Sequence, residues 1–140
     1  MNNTCSINHI DHVGIAVENI AESIKFFTVI FGIQAPQVTI LEDQQVKATL
    51  LEISETRIEL LEPLSPNSPV GRFLTSKGPG LHHLALNVDS IKDKLEILKS
   101  LNVDLIDQKP REGLSGTIAF IHPKSVFGVL TELVESEPLN

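Results

Sequence analysis

Cysteine occurs once, at Cys5, so the chain can form neither an intrachain disulfide nor a zinc centre built on several thiolates. Tryptophan and tyrosine are absent and there are six phenylalanines, which leaves few rings on which nucleobases could stack. Cations are in deficit. Eleven Lys and Arg against eighteen Asp and Glu give a net charge of −7, so the cationic stripe that a phosphate backbone requires is not expected, and nucleic acid is set aside as a partner. No apolar run reaches the roughly 18 residues of a membrane span. The segment MNNTCSINHIDH has neither the basic nor the apolar part of a signal peptide, so the expectation is a soluble, cytoplasmic protein without a membrane partner. What is present suffices for a core: 140 residues, 41% hydrophobic and 21% charged, argue against disorder and for one domain over 1–140.

That domain is written twice. Ile10-Asp11-His12-Val13-Gly14-Ile15-Ala16-Val17 can be laid over Leu81-His82-His83-Leu84-Ala85-Leu86-Asn87-Val88, placing His12 on His83, half a chain length away. Ile58-Glu59-Leu60-Leu61-Glu62 lies over Thr131-Glu132-Leu133-Val134-Glu135. Each half therefore opens on a strand bearing His and closes on a strand bearing Glu.

Between these ends the two halves have the same local pattern. Val13, Ile15 and Val17 alternate with His12, Gly14 and Ala16, the period of a strand with one apolar face. Asn19 with Glu22 resembles a capping box, and Ile20, Ile24, Phe27 and Ile30 or Phe31 recur at helical spacing until Gly32. In the second half Ser90 with Asp93 supplies the cap, and Ile91, Leu95, Leu98 and Leu101 the stripe. Further strands are expected around 36–41, 46–53 and 57–62, then 103–107, 116–122 and 128–134. The fold class is thus α+β, two tandem βαβββ modules over about 8–64 and 79–136. Glu62-Pro63-Leu64-Ser65-Pro66-Asn67-Ser68-Pro69 opens a linker over about 62–78, because three prolines in eight residues cannot form a central strand. With helices on the Val13 face, the opposite face carries His12 and small side chains, and the second module repeats this with His83, Ala85 and Asn87. Such a face makes a cleft.

The repeat also brings four potential metal ligands into corresponding positions: His12, Glu59, His83 and Glu132. Two imidazoles and two carboxylates suit a borderline divalent cation such as cobalt, nickel, zinc or manganese, and six-coordinate geometry leaves two positions for substrate. A lone His beside a strand is ordinarily a satisfied core or surface residue, and a Glu amid apolar neighbours can simply face solvent, as expected of Glu62 and Glu135. The recurrence of both residue types in both halves is what that plainer explanation leaves unaccounted for. His9 is expected to be exposed, and His82 to point away from His83, because adjacent strand residues alternate.

At these residues the chain resembles the vicinal oxygen chelate superfamily, within it the methylmalonyl-CoA epimerase family. The matching stretches are IDHVGIAV at 10–17, RIELLEPLSPNSPVGRFL at 57–74, GPGLHHLALNVDSI at 78–91 and IAFIHPKSVFGVLTELVE at 118–135. The resemblance implies a cupped mixed sheet around a divalent metal, a glyoxalase-like fold, with His12, Glu59, His83 and Glu132 as ligands, and it implies a homodimer. Exposed strand edges in half-length repeats point the same way. Four positions depart from the family: Gln45 where Gly is common, Val126-Phe127 where Thr-Gly is frequent, and Ala48 where some members carry a Glu proposed as a base. Those members tend to have Gln in place of Glu59.

The activity so implied is interconversion of (R)- and (S)-methylmalonyl-CoA, an acyl-CoA thioester, by α-proton removal through a metal-stabilised enolate. Removal and return of the proton on opposite faces need two bases, for which Glu59 and Glu132 are the natural pair. In the His122-Pro123-Lys124-Ser125 loop, Lys124 and Ser125 are the candidate substrate contacts, with Arg111 and Lys109 as further local attraction for an anion. Two other functions share these features: glyoxalase I, which uses a similar ligand set, and a metal-free binding or resistance protein of the same fold.

Overall fold

A computed structural model of the chain describes residues 6–34 and 36–136; Cys5 and the rest of the first five residues of MNNTCSINHIDH lie outside the described residues. Eight strands and three helices follow in the order β1 (His9–Ala16), α1 (Ile20–Phe31), β2 (Thr39–Leu41), β3 (Val46–Ile53), β4 (Thr56–Pro63), α2 (Pro69–Lys77), β5 (Gly80–Asn87), α3 (Ile91–Ser100), β6 (Arg111–Gly113), β7 (Gly116–Ile121) and β8 (Thr131–Glu135). The α+β class and the doubled βαβββ order are as expected from the repeat. Among the described residues no helix is long and apolar enough to cross a membrane.

The described residues form two compact units, His12–His82 and residues 6–11 together with 83–136. The start of the chain thus packs with its second half: the Asn8 side-chain amide donates to Asn87 Oδ1 at 3.0 Å and to Asp89 Oδ1 at 2.8 Å.

In the unit His12–His82 the strand order is β2-β3-β4-β1, with β1 parallel to β4 and the other pairs antiparallel. Ile15 and Val17 of the apolar strand face pack with Ile20, Ile24 and Phe27 of α1 around buried Leu51 and Leu60. The helical stripe ends there. Ile30 and Phe31, in the last turn, are exposed, and Gly32 ends the helix with a left-handed φ of 67°. The expected linker contains α2, whose start is written by Ser68 as cap and Pro69 in the first turn. A side chain at Gly71 would place its Cβ 2.3 Å from the Ser65 carbonyl oxygen, so only glycine lets the proline turn lie on this helix.

In the other unit the order is β5-β8-β7-β6 and β5 is parallel to β8. Ile91 and Leu95 of α3 pack on Val88, Ala119, Ile121 and Leu133, while Ala85, Ile118, Phe120 and Val134 form a second cluster. Leu101 leaves the stripe: it is the C-cap and is exposed. The strand expected at 103–107 lies instead at Arg111–Gly113. Residues 103–107 cannot continue a regular ladder, because the N–H groups of Ile106 and Asp107 both donate to the Phe120 carbonyl and the Asp107 carboxylate takes the Phe120 N–H at 2.8 Å.

Both expected helix caps form, Asn19 accepting from the Glu22 N–H and Ser90 from the Asp93 N–H. Glu62 and Glu135 are not the solvated pair expected of them. Each reaches the start of its module's helix, Glu62 accepting from the Ile20 N–H and Glu135 from the Ile91 N–H, both at 2.8 Å. A carboxylate there satisfies an orphan donor and faces the positive end of the helix dipole.

Two departures from the family pattern fall where the backbone is left-handed. Gln45 has φ 55° at the end of the 3₁₀ turn Glu42–Gln44, and Phe127 has φ 55° at the end of the 3₁₀ turn Pro123–Val126. Glycine adopts this conformation without the Cβ penalty, which agrees with the glycine that the family resemblance implies at each place. Phe127 is fully exposed, so its ring offsets none of that cost by packing. Phe127→Gly is expected to stabilise the fold by about 1 kcal/mol, read as a higher denaturant midpoint at unchanged slope. An unchanged or lower midpoint would remove the strain argument.

Candidate metal centre

Strand pairing sets up each His–Glu pair in the same way. In the unit His12–His82, Glu59 of β4 is in register with Gly14 of β1, and His12 lies two residues before Gly14 on the same strand face. The side chain at the register position is absent, and His12 Nε2 comes to 3.4 Å from Glu59 Oε1. In the other unit Glu132 of β8 is in register with Ala85 of β5, His83 lies two residues before it, and His83 Nε2 comes to 3.4 Å from Glu132 Oε1. Small residues opposite each Glu are therefore part of how each pair meets.

All four side chains are buried, with exposures of 1% for His12, 5% for Glu59, 6% for His83 and 4% for Glu132. Carboxylates are rarely buried so deeply unless a cation or donor compensates them. Each unit thus holds a buried His–Glu pair whose donor types suit a divalent cation. Donors bound to one ion at about 2.0–2.2 Å lie about 3.0–3.5 Å from their neighbours in octahedral or tetrahedral geometry, which the 3.4 Å spacing within each pair matches. The residues present fit a divalent cation.

The other candidates lie elsewhere. His9 is exposed. His82 turns away from its neighbour and packs edge-on against Phe73 of α2, with ring centroids 5.0 Å apart, whereas His83 meets Phe120. His122 has a local task, its Nδ1 accepting the Lys124 N–H at 3.1 Å to cap the 3₁₀ turn. Lys124 Nζ lies 3.6 Å from Asp104 Oδ2, and the Ser125 hydroxyl donates to that carboxylate while accepting the Asp104 N–H. Lys109, Glu42 and Asp43 are exposed. Ala48 is fully buried, in register with Leu61, and shares a sheet face with Leu50, which is in register with Glu59. A Glu in place of Ala48 would stand on the same face as Glu59.

Sequence reasoning missed the surroundings of His83. Phe120, in register with Glu132, stands perpendicular to the imidazole, and the Arg111 guanidinium lies over the Phe120 ring. Only strand register brings these three together.

The sequence profile of the Glyoxalase/Bleomycin resistance protein/Dioxygenase superfamily matches residues 11–120. The mitochondrial methylmalonyl-CoA epimerase of Dictyostelium discoideum is 37% identical over 132 residues, 92% of this chain and 79% of that protein. The crystal structure of methylmalonyl-CoA epimerase from Mycobacterium tuberculosis superposes with a TM-score of 0.91 at 35% identity, covering 99% of this chain and 94% of that one. A variant of the Streptomyces coelicolor methylmalonyl-CoA epimerase, in complex with 2-nitronate-propionyl-CoA, superposes with a TM-score of 0.92 at 32% identity, over 96% and 99% of the two chains. The chain belongs to the Glyoxalase/Bleomycin resistance protein/Dioxygenase superfamily and, within it, to the methylmalonyl-CoA epimerase family.

Proposed function

We propose that the chain is a metal-dependent epimerase that interconverts (R)- and (S)-methylmalonyl-CoA, with His12, Glu59, His83 and Glu132 as the metal ligands. The observation that carries this reading is a buried His–Glu pair in each of the two repeats of a chain of this family. A divalent ion bound there supplies Lewis-acid stabilisation for the negative charge that develops when the α-proton leaves. Cobalt, nickel, zinc and manganese all suit such donors.

The chain's own residues have the proton to move. Glu59 and Glu132, one from each repeat, are proposed to act in turn: one carboxylate takes the α-proton from one face and keeps it, and the other, starting as the acid, gives its own proton to the opposite face. Each carboxylate has two oxygens, so one could serve a bound metal while the other acted as the base. Lys124 is proposed to contact the anionic thioester, with Ser125 holding its loop. The pairing with Asp104 does not oppose this, since both side chains are more than half exposed and such a pair is worth little in water. A homodimer located in the cytoplasm completes the proposal.

Two parallel assays test the activity. Protein purified without chelator should contain a stoichiometric divalent metal, wash deuterium into the α-position of methylmalonyl-CoA in deuterated water, and leave methylglyoxal with glutathione unchanged. Turnover of the glutathione adduct in place of the acyl-CoA would make the chain a glyoxalase I. Absence of metal and of both activities would make it a binding protein.

A further inference from the structure

Resting on the proposed metal site, we propose that Phe120, Arg111 and Asp107 are positioning residues that hold the His83 imidazole in its coordinating orientation. The contacts form a closed circuit within one unit. The Phe120 ring stands at 85° to the imidazole with centroids 5.7 Å apart, the edge-to-face arrangement that aromatic pairs prefer. The Arg111 guanidinium lies 5.5 Å from the centre of the Phe120 ring. Asp107 fixes both: one carboxylate oxygen accepts the Phe120 N–H at 2.8 Å and the other lies 3.3 Å from Arg111 Nε.

Strand register explains why the three meet. Arg111 of β6 is in register with Ile118 of β7, two residues before Phe120, so its side chain lies on the face that carries Phe120. Asp107 sits in the irregular segment before β6, where its carboxylate replaces a ladder carbonyl. Phe120 is in turn in register with Glu132, the partner of His83, so the ring touches the pair at its base.

The other module does not repeat the device. The residue in register with Glu59 is Leu50, and the residue in register with Ala48, two positions earlier, is Thr39. Packing alone is evidently met by an aliphatic side chain at this place. A ring braced by a cation and a carboxylate adds resistance to rotation of the neighbouring imidazole. Groups of this kind beyond the direct ligands orient a metal-binding histidine and tune its affinity.

Cobalt(II) is the probe. The full chain and its Phe120→Leu, Phe120→Tyr and Arg111→Gln variants are titrated with cobalt against a chromophoric chelator, the visible bands of the bound ion are recorded, and metal-free melting checks folding. Phe120→Leu should weaken cobalt binding roughly 10- to 100-fold and shift the visible bands. Arg111→Gln should do the same to a smaller degree, and Phe120→Tyr, which keeps the ring edge, should retain most of the affinity. Folded Phe120→Leu with wild-type affinity and bands would overturn the proposal, as would equal losses in Phe120→Leu and Phe120→Tyr. Failure of the wild-type chain to bind cobalt is a separate result. It would remove the metal site itself and the positioning role with it.

Discussion

His83→Ala is expected to abolish epimerisation and deplete the bound metal, while His82→Ala does neither. The two residues are adjacent on β5, have the same chemistry and differ only in the face they occupy. His83 is buried against Glu132, and its loss removes one of the four proposed donors and leaves a buried carboxylate without its imidazole neighbour. His82 packs against Phe73, on the side of α2. A metal ion at a developing enolate is worth several kcal/mol, and each factor of ten in rate corresponds to about 1.4 kcal/mol, so turnover should fall by roughly three orders of magnitude or more. Elemental analysis of both purified variants, beside turnover of one methylmalonyl-CoA epimer, reads the difference. Full metal content in His83→Ala would exclude this residue from the ligand set. Equal losses in both variants would mean that disturbance of β5, and not ligation, is being measured.

That such a contrast can be drawn between neighbouring residues follows from how much strand and helix periodicity carries. Alternation in Ile10–Val17 and Leu81–Val88 told the two faces apart, and the repeat paired each His with its Glu before any distance was known. Asn19, Ser90 and Gly32 fixed helix ends through local backbone chemistry, and local chemistry is what a linear reading sees. What it does not see is competition between distant groups. The segment 103–107 has the apolar alternation of a strand, yet Asp107 takes the Phe120 N–H and the ladder is displaced to Arg111–Gly113. Glu62 and Glu135 look solvated until the helix N-termini at Ile20 and Ile91, about forty residues earlier, are brought to them. The prolines at 63, 66 and 69 marked the end of β4, at Pro63, but did not announce that Ser68 and Pro69 begin a helix. Phe120 and Arg111 escaped for the same reason, since nothing local connects either to His83.

The division of labour between the two carboxylates is open to a sharper measurement. Ala48 removes one candidate base, because the strand position from which some relatives are proposed to draw a Glu is filled here by a buried methyl group. Glu59 stands on the same sheet face, so the missing carboxylate is offset by one on the neighbouring strand. If Glu59 and Glu132 are both ligands and bases, Gln at either position can still offer an amide oxygen to the metal but cannot accept a proton. Glu59→Gln and Glu132→Gln should therefore retain some metal while each loses roughly two to four orders of magnitude in epimerisation, the usual worth of a positioned base. Each variant keeps one base, and that base can still exchange the α-proton of the epimer it faces. In deuterated water, one variant should wash label into the (R) thioester and the other into the (S) thioester. Opposite preferences are the expected result if the two carboxylates serve opposite faces of the enolate, as proposed. The same preference in both variants would show that one residue serves both faces. Near-normal epimerisation by Glu59→Gln would make Glu59 a ligand only and move the search for the first base to Glu42 and Asp43, on the exposed turn before β3.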